Sequence, residues 1–141
     1  PGGPNVEARR AIQTYRALHT ACRRGLTQAM HDCSEGGLAV ALAEMAFSGG
    51  LGATVSLKNV PYQGASRRDD IILFSESSSR MLVEVAPAHE ASFVWLLKDT
   101  VHAKIGIVGQ SPEFLVYGLK DAPVIHAGIN DLKNVWQSSL K

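Results

Sequence analysis

The spacing of apolar residues changes several times along this chain, and each change marks an element. Ala8, Ala11, Ile12, Tyr15, Leu18 and Cys22 recur three and four apart, which draws the apolar stripe of a helix. Asn5 is placed to cap it, and Arg9, Arg10, Gln13, Arg16, Arg23 and Arg24 occupy the other side. Gly25 suits a left-handed residue that ends such a helix. Leu26 to Met30 is then short and extended, and delivers His31-Asp32 to a strand end. From Leu38 to Phe47 the only charge is Glu44, and no breaker comes before Gly49-Gly50. A helix apolar on every face must be covered on most sides, which makes this the central helix.

The second half alternates more quickly. Ala53 to Leu57 has the period of a strand, and Asn59 to Asp70, polar and containing Pro61 and Gly64, reads as a surface loop. Ile71 to Phe74 is a short buried run, and Met81 to Val85 is the clearest strand. Pro87 suits the first turn of a helix reaching about Leu97, with Phe93, Leu96 and Leu97 facing inward. Ala103 to Gly109 and Phe114 to Tyr117 read as strands, and Ile129 to Leu140 as a short helix bearing Leu132, Val135 and Trp136. Helices alternating with strands, some of them pairing locally, predict an α+β fold with a mixed sheet.

Composition narrows the classes. A chain of 141 residues, 45% hydrophobic and 19% charged, has the makings of one folded domain. A net charge of +1 leaves no footprint for nucleic acid, and the helix-1 arginines, lacking interleaved aromatics, read as a solvated face. No apolar run approaches the roughly 20 residues of a membrane span. Cys22 and Cys33 lack metal-ligand or CxxC spacing, which suits reduced thiols in the cytoplasm. The opening Pro1-Gly2-Gly3-Pro4 reads as a linker, so residues 1–141 are expected to be one domain of something longer.

Candidate chemistry concentrates at His31-Asp32-Cys33-Ser34-Glu35-Gly36-Gly37, directly before the apolar helix. A helix N-terminus offers unpaired N–H groups and partial positive charge to an anion such as phosphate. Gly36 and Gly37 would let backbone approach a ligand. The same residues also suit a helix capped by Ser34 or Asp32, with the glycines serving close packing. Asp32 is a hard oxygen donor of the kind magnesium takes, and the Ser34 hydroxyl can bind phosphate. Together they make a magnesium-phosphate corner, although an incomplete one, since no P-loop lysine follows. His31-Asp32 also matches the dipeptide of metal-dependent phosphohydrolases, but His19, His89, His102 and His126 lie in unrelated local settings. Nucleophilic catalysis by Cys33 or Ser34 would need a base that the sequence does not assign, and Cys33 suits a small buried residue better. Glu76-Ser77-Ser78-Ser79-Arg80 can be a substrate-binding turn or a surface turn with a Glu/Arg pair.

The stretch from His31 to Ala46 closely resembles the HD-x-S-[DE]-GGLAVALAEMA signature of phosphoribosylformylglycinamidine synthase. Later segments keep the order of that family: Gly49 to Leu57, Leu73-Phe74-Ser75-Glu76-Ser77, Arg80-Met81-Leu82-Val83, and Asp131-Leu132 through Trp136 to Leu140. The family belongs to the superfamily of aminoimidazole ribonucleotide synthetase, whose members pair an amino-terminal domain with an α+β carboxy-terminal one. The resemblance implies that this chain is the last carboxy-terminal domain of such an enzyme. It implies a purine-biosynthesis ligase that uses ATP and Mg2+ to convert formylglycinamide ribonucleotide to an amidine, with ammonia from a glutaminase domain or subunit.

On the same resemblance Asp32 becomes a magnesium ligand, and Ser34, with Gly36 and Gly37, a contact to the phosphates of ATP or ADP. Glu76 and Ser77 match a substrate-contacting E-S-Q turn in the family's other carboxy-terminal domain. Ser78 stands here in place of that glutamine, and its shorter hydroxyl cannot reach or pair as an amide would. The family's catalytic histidine and most ATP ligands lie on amino-terminal domains, so the resemblance implies no catalytic residue here and no synthase activity in isolation. The alternatives are a packing module that binds no ligand, or the matching domain of another ATP user of the superfamily.

Overall fold

A computed structural model describes residues 4–62, 67–75, 77–132 and 134. Its elements run α1 (Pro4–Arg23), β1 (Ala29–Cys33), α2 (Gly37–Gly49), β2 (Gly52–Ser56), α3 (Asp69–Phe74), β3 (Ser77–Glu84), α4 (Glu90–Leu96), β4 (Gly106–Gly109), β5 (Glu113–Tyr117) and β6 (Pro123–Gly128). Short 3-10 turns at Leu57–Asn59 and Pro87–His89 follow β2 and precede α4. The chain divides into two compact units, one of residues 1–30 and 83–102 and the other of residues 31–82 and 103–141. β1 and β3 are neighbours in a two-stranded sheet, and the division crosses both strands.

In the first unit α1 packs on α4, burying Leu18, Ala21, Leu26 and Leu97. The expected stop at Gly25 is present. Gly25 is left-handed (φ 71°), its N–H donates to the Cys22 carbonyl, and the Leu26 N–H donates to the Ala21 carbonyl at 2.9 Å. That pair of bonds satisfies carbonyls that a helix end otherwise leaves open. Of the inward residues expected on α4, Leu97 is buried, and Phe93 and Leu96 are half-buried. Helix α1 begins at Pro4, inside the expected linker, so Asn5 lies within its first turn and not at the expected cap position.

The second unit holds a four-stranded sheet in the order β4-β2-β5-β6. β2 runs antiparallel to β4 and parallel to β5, and β5 runs antiparallel to β6, so the sheet is mixed and the α+β expectation holds. Val55 pairs with Val116 across the parallel ladder, and both are buried. One core joins these residues and Phe114 to Leu38, Ala41 and Leu42 of α2 and to Ile72 and Leu73 of α3. Helix α2 is central as expected, since no residue from Gly37 to Phe47 is fully exposed.

Two elements depart from the sequence pattern. Ile71 to Phe74 is helical, with Ile72 and Leu73 buried, and the helix starts two residues earlier than the apolar run, at Asp69. Asp69 and Asp70 suit the positive end of α3. Asp69 also ties α3 to the turn between β5 and β6, its Oδ1 accepting the Leu119 N–H at 2.8 Å. β6 was not expected from the alternation. It is an edge strand opened by Pro123, which needs no N–H donor on its free side. The turn before it places the non-glycine Asp121 at φ 61°. Of the closing helix, residues 129–132 and 134 are helical, and Val135 and Trp136 lie outside the described residues.

Candidate functional site

The residues singled out at 31–37 lie together in the second unit, where β1 ends and α2 begins. The turn is tight because Asp32 and Ser34 bond to each other. Ser34 Oγ donates to Asp32 Oδ1 at 2.6 Å, and the Ser34 backbone N–H donates to the same oxygen at 3.1 Å. These two bonds stabilise the ionised carboxylate and hold the Asp32 carboxyl below the ordinary carboxylate range, with a smaller contribution from His31. Asp32 is fully exposed, so this charge faces solvent and any ligand that arrives.

Neither Asp32 nor Ser34 caps the helix. The cap position is Gly36, which has no side chain to offer and is left-handed at φ 75°. Gly37 is left-handed too, at φ 74°. A Cβ on Gly37 would lie 2.8 Å from the carbonyl oxygens of Leu73 and Ser75, and a Cβ on Gly36 would run into Val40. The space that the glycines leave open is therefore filled by the C-terminal backbone of α3 and by α2 itself. Their requirement is conformational and steric: they let β1 turn sharply into a helix pressed against α3.

The rest of the cluster has structural partners. Cys33 is fully buried in the core, and burial pushes its thiol pKa up, against the positive charge of Arg80. A buried, protonated thiol is a poor nucleophile, in keeping with a packing role. His31 Nδ1 lies 3.7 Å from Glu44 Oε2 on α2. Arg80, on β3, donates from Nη2 to the Pro61 carbonyl at 3.0 Å, and its Nη1 is buried with no partner among the described residues. The sequence pattern did not single out Arg80 for the cluster at Cys33, because strand pairing is what brings the two near.

Glu76 lies outside the described residues, as do the side chains of Ser77 and Ser78, whose backbone opens β3. No group of three or more His, Cys, Asp or Glu able to hold a metal occurs among the described residues. The histidine cluster that a phosphohydrolase would need is accordingly not found there. Asp32 supplies one hard oxygen donor and not a closed cage. That fits magnesium, which is held by one or two carboxylates and by phosphate oxygens. No helix among the described residues is long and apolar enough to cross a membrane.

Comparison with known proteins places this geometry in a family. Residues 4–118 match the model described as AIR synthase related protein, C-terminal domain. The chain is 42% identical over 121 residues to the phosphoribosylformylglycinamidine synthase subunit PurL of Deinococcus radiodurans, covering 84% of the chain and 15% of that protein. It is 36% identical over 132 residues to the Synechocystis subunit of the same name, covering 89% of the chain and 16% of that protein. The chain thus spans about one sixth of the length of these relatives. Among solved structures it resembles Thermotoga maritima PurL complexed with FGAR, with a TM-score of 0.75, 25% identity, and coverage of 86% of this chain and 20% of that one. The T. maritima protein is also described in complex with AMPPCP and in a PurLQS assembly.

Proposed function

The chain belongs to the AIR synthase related C-terminal domain family, and from that premise we propose that it is a carboxy-terminal domain of a phosphoribosylformylglycinamidine synthase. In that role it contributes a magnesium-nucleotide phosphate corner to a site that amino-terminal domains complete. The observation that carries this reading is the Asp32–Ser34 turn at the head of α2, in a chain 42% identical to a PurL subunit.

The residues divide the work in a definite way. Asp32 Oδ1 is engaged by Ser34, which leaves Oδ2 as the oxygen able to meet a cation. Bound there, Mg2+ would neutralise phosphate charge and orient the nucleotide. Ser34 orients Asp32 and keeps it ionised, and its Oγ can also accept a hydrogen bond from outside the turn. The start of α2 directs partial positive charge toward the same place. Gly36 and Gly37 contribute by shape, since α3 and Val40 occupy the space beside them. This close packing favours the structural reading for the two glycines and leaves ligand contact to Asp32 and Ser34.

We infer the activity of the whole protein from its relatives. FGAR as substrate and AMPPCP as a nucleotide analogue, both seen with the T. maritima protein, support an ATP-dependent ligase acting on formylglycinamide ribonucleotide. The PurLQS assembly of the T. maritima protein supports further subunits, and in this proposal a glutaminase domain or subunit supplies the ammonia. Glu76 and Ser77 match in sequence a substrate-contacting turn of the family's other carboxy-terminal domain, and with Ser78 in place of its glutamine we propose no strong substrate contact through them. Localisation in the cytoplasm agrees with this chemistry. The test is amidine formation from FGAR, ATP, Mg2+ and ammonia by the full-length protein and by residues 1–141 alone. Turnover by the first and none by the second is expected, and turnover by residues 1–141 alone would overturn the proposal.

A further inference from the structure

Helix α3 is held at both ends, and its second end borders the Asp32–Ser34 turn within the same unit. At its start, Asp69 Oδ1 accepts the Leu119 N–H at 2.8 Å. The neighbouring Gly118 is buried, and a Cβ there would lie 2.6 Å from Asp69 Oδ2. Asp69 is thus seated on a turn that closes on itself. The Gly118 N–H donates to the Ala122 carbonyl at 2.8 Å, and the Asp121 N–H donates to the Gly118 carbonyl at 3.1 Å. At the other end of α3, the carbonyls of Leu73 and Ser75 form a wall against Gly37. Gly36 and Gly37 are both left-handed, and two consecutive glycines keep wide backbone freedom unless something confines them. The end of α3 does so at Gly37.

Ile72 and Leu73 are buried and set how deep α3 lies in the core. Apolar burial has no direction, so it does not fix where a six-residue helix sits along its own axis. A hydrogen bond does, because it weakens steeply as its geometry is lost. We propose that Asp69 is a positioning residue, which through α3 sets where Gly37 and the adjoining Asp32–Ser34 turn stand for the cation and phosphates. The proposal rests on the reading of Asp32 and Ser34 as a magnesium-nucleotide corner. Asp70 supplies the control. It lies in the same first turn but is exposed, and its bonds are local, to Arg68 at 3.1 Å and to the Ile71 N–H at 2.9 Å.

The experiment is calorimetric titration of the full-length protein with Mg2+-AMPPCP, with urea unfolding of each variant alongside. Asp69→Ala should raise the dissociation constant roughly fivefold or more, and Asp69→Asn, which keeps an acceptor oxygen, should return it to within about twofold. Asp70→Ala should leave it within about twofold, although it too removes an acid from the first turn. Gly118→Ala pushes on the Asp69 carboxylate from its other side. It should raise the dissociation constant in the same direction and add nothing further once Asp69 is alanine. It also serves where Asp69→Ala does not accumulate as folded protein. A structural role alone would lower the urea midpoint and leave the dissociation constant unchanged. That result, or equal effects from Asp69→Ala and Asp70→Ala, would overturn the proposal. Asp32→Asn in the same series separates the two claims. If it weakens binding and Asp69→Ala does not, the positioning role alone falls. If Asp32→Asn changes nothing, the nucleotide corner falls and the role of Asp69 with it.

Discussion

Asp32 takes two hydrogen bonds from one residue, so its charge state depends on Ser34. Ser34→Ala removes the stronger cause of the depressed pKa, and Asp32 should then titrate nearer the ordinary carboxylate range, as read by carboxyl-carbon NMR against pH. The sign for stability follows. A carboxyl whose folded pKa is lowered contributes stability above its unfolded value, and that contribution is lost as pH falls through the lowered one. The glycines differ from each other in a measurable way. Gly25→Ala meets no atom within 4 Å and carries only the left-handed strain, about 1 kcal/mol. Gly37→Ala adds contact with the Leu73 and Ser75 carbonyls to a similar strain and should cost about 3 kcal/mol by urea unfolding.

At the scale of elements, α3 ties the core to the candidate site, because its C-terminal backbone packs on Gly37 while Ile72 is fully buried. Ile72→Ala should destabilise by about 2–4 kcal/mol, and Phe74→Ala, 58% exposed, by less than about 0.5 kcal/mol in the same thermal or urea series. The long elements were legible from sequence because their periods run over many residues: the α1 stripe, the all-round apolar α2, and the Met81 to Glu84 portion of β3. Four apolar residues at 71–74 cannot distinguish a strand from one turn of helix, and the bond from Leu119 to Asp69, fifty residues apart, leaves no local pattern. β6 escaped because an edge strand led by proline carries little alternation. At the site, the sequence named Asp32 and Ser34 but not their mutual bond, which removes both from the capping role. It could not see that Gly36 and Gly37 face Val40 and α3, because that depends on tertiary approach.

As a whole molecule, these residues account for about one sixth of relatives such as the Synechocystis subunit, and the proposed corner would offer a cation an oxygen of Asp32. In the proposed role such a domain would present a preorganised charge to groups supplied from elsewhere, with helices behind it to hold the position. The measurement that bears most directly on that role is calorimetric titration of the full-length protein with Mg2+-AMPPCP, before and after Asp32→Asn. Removal of the proposed cation ligand should raise the dissociation constant roughly tenfold or more, about 1.4 kcal/mol, with the fold intact by circular dichroism. An unchanged dissociation constant would contradict the assignment of Asp32 and Ser34 to a magnesium-nucleotide site.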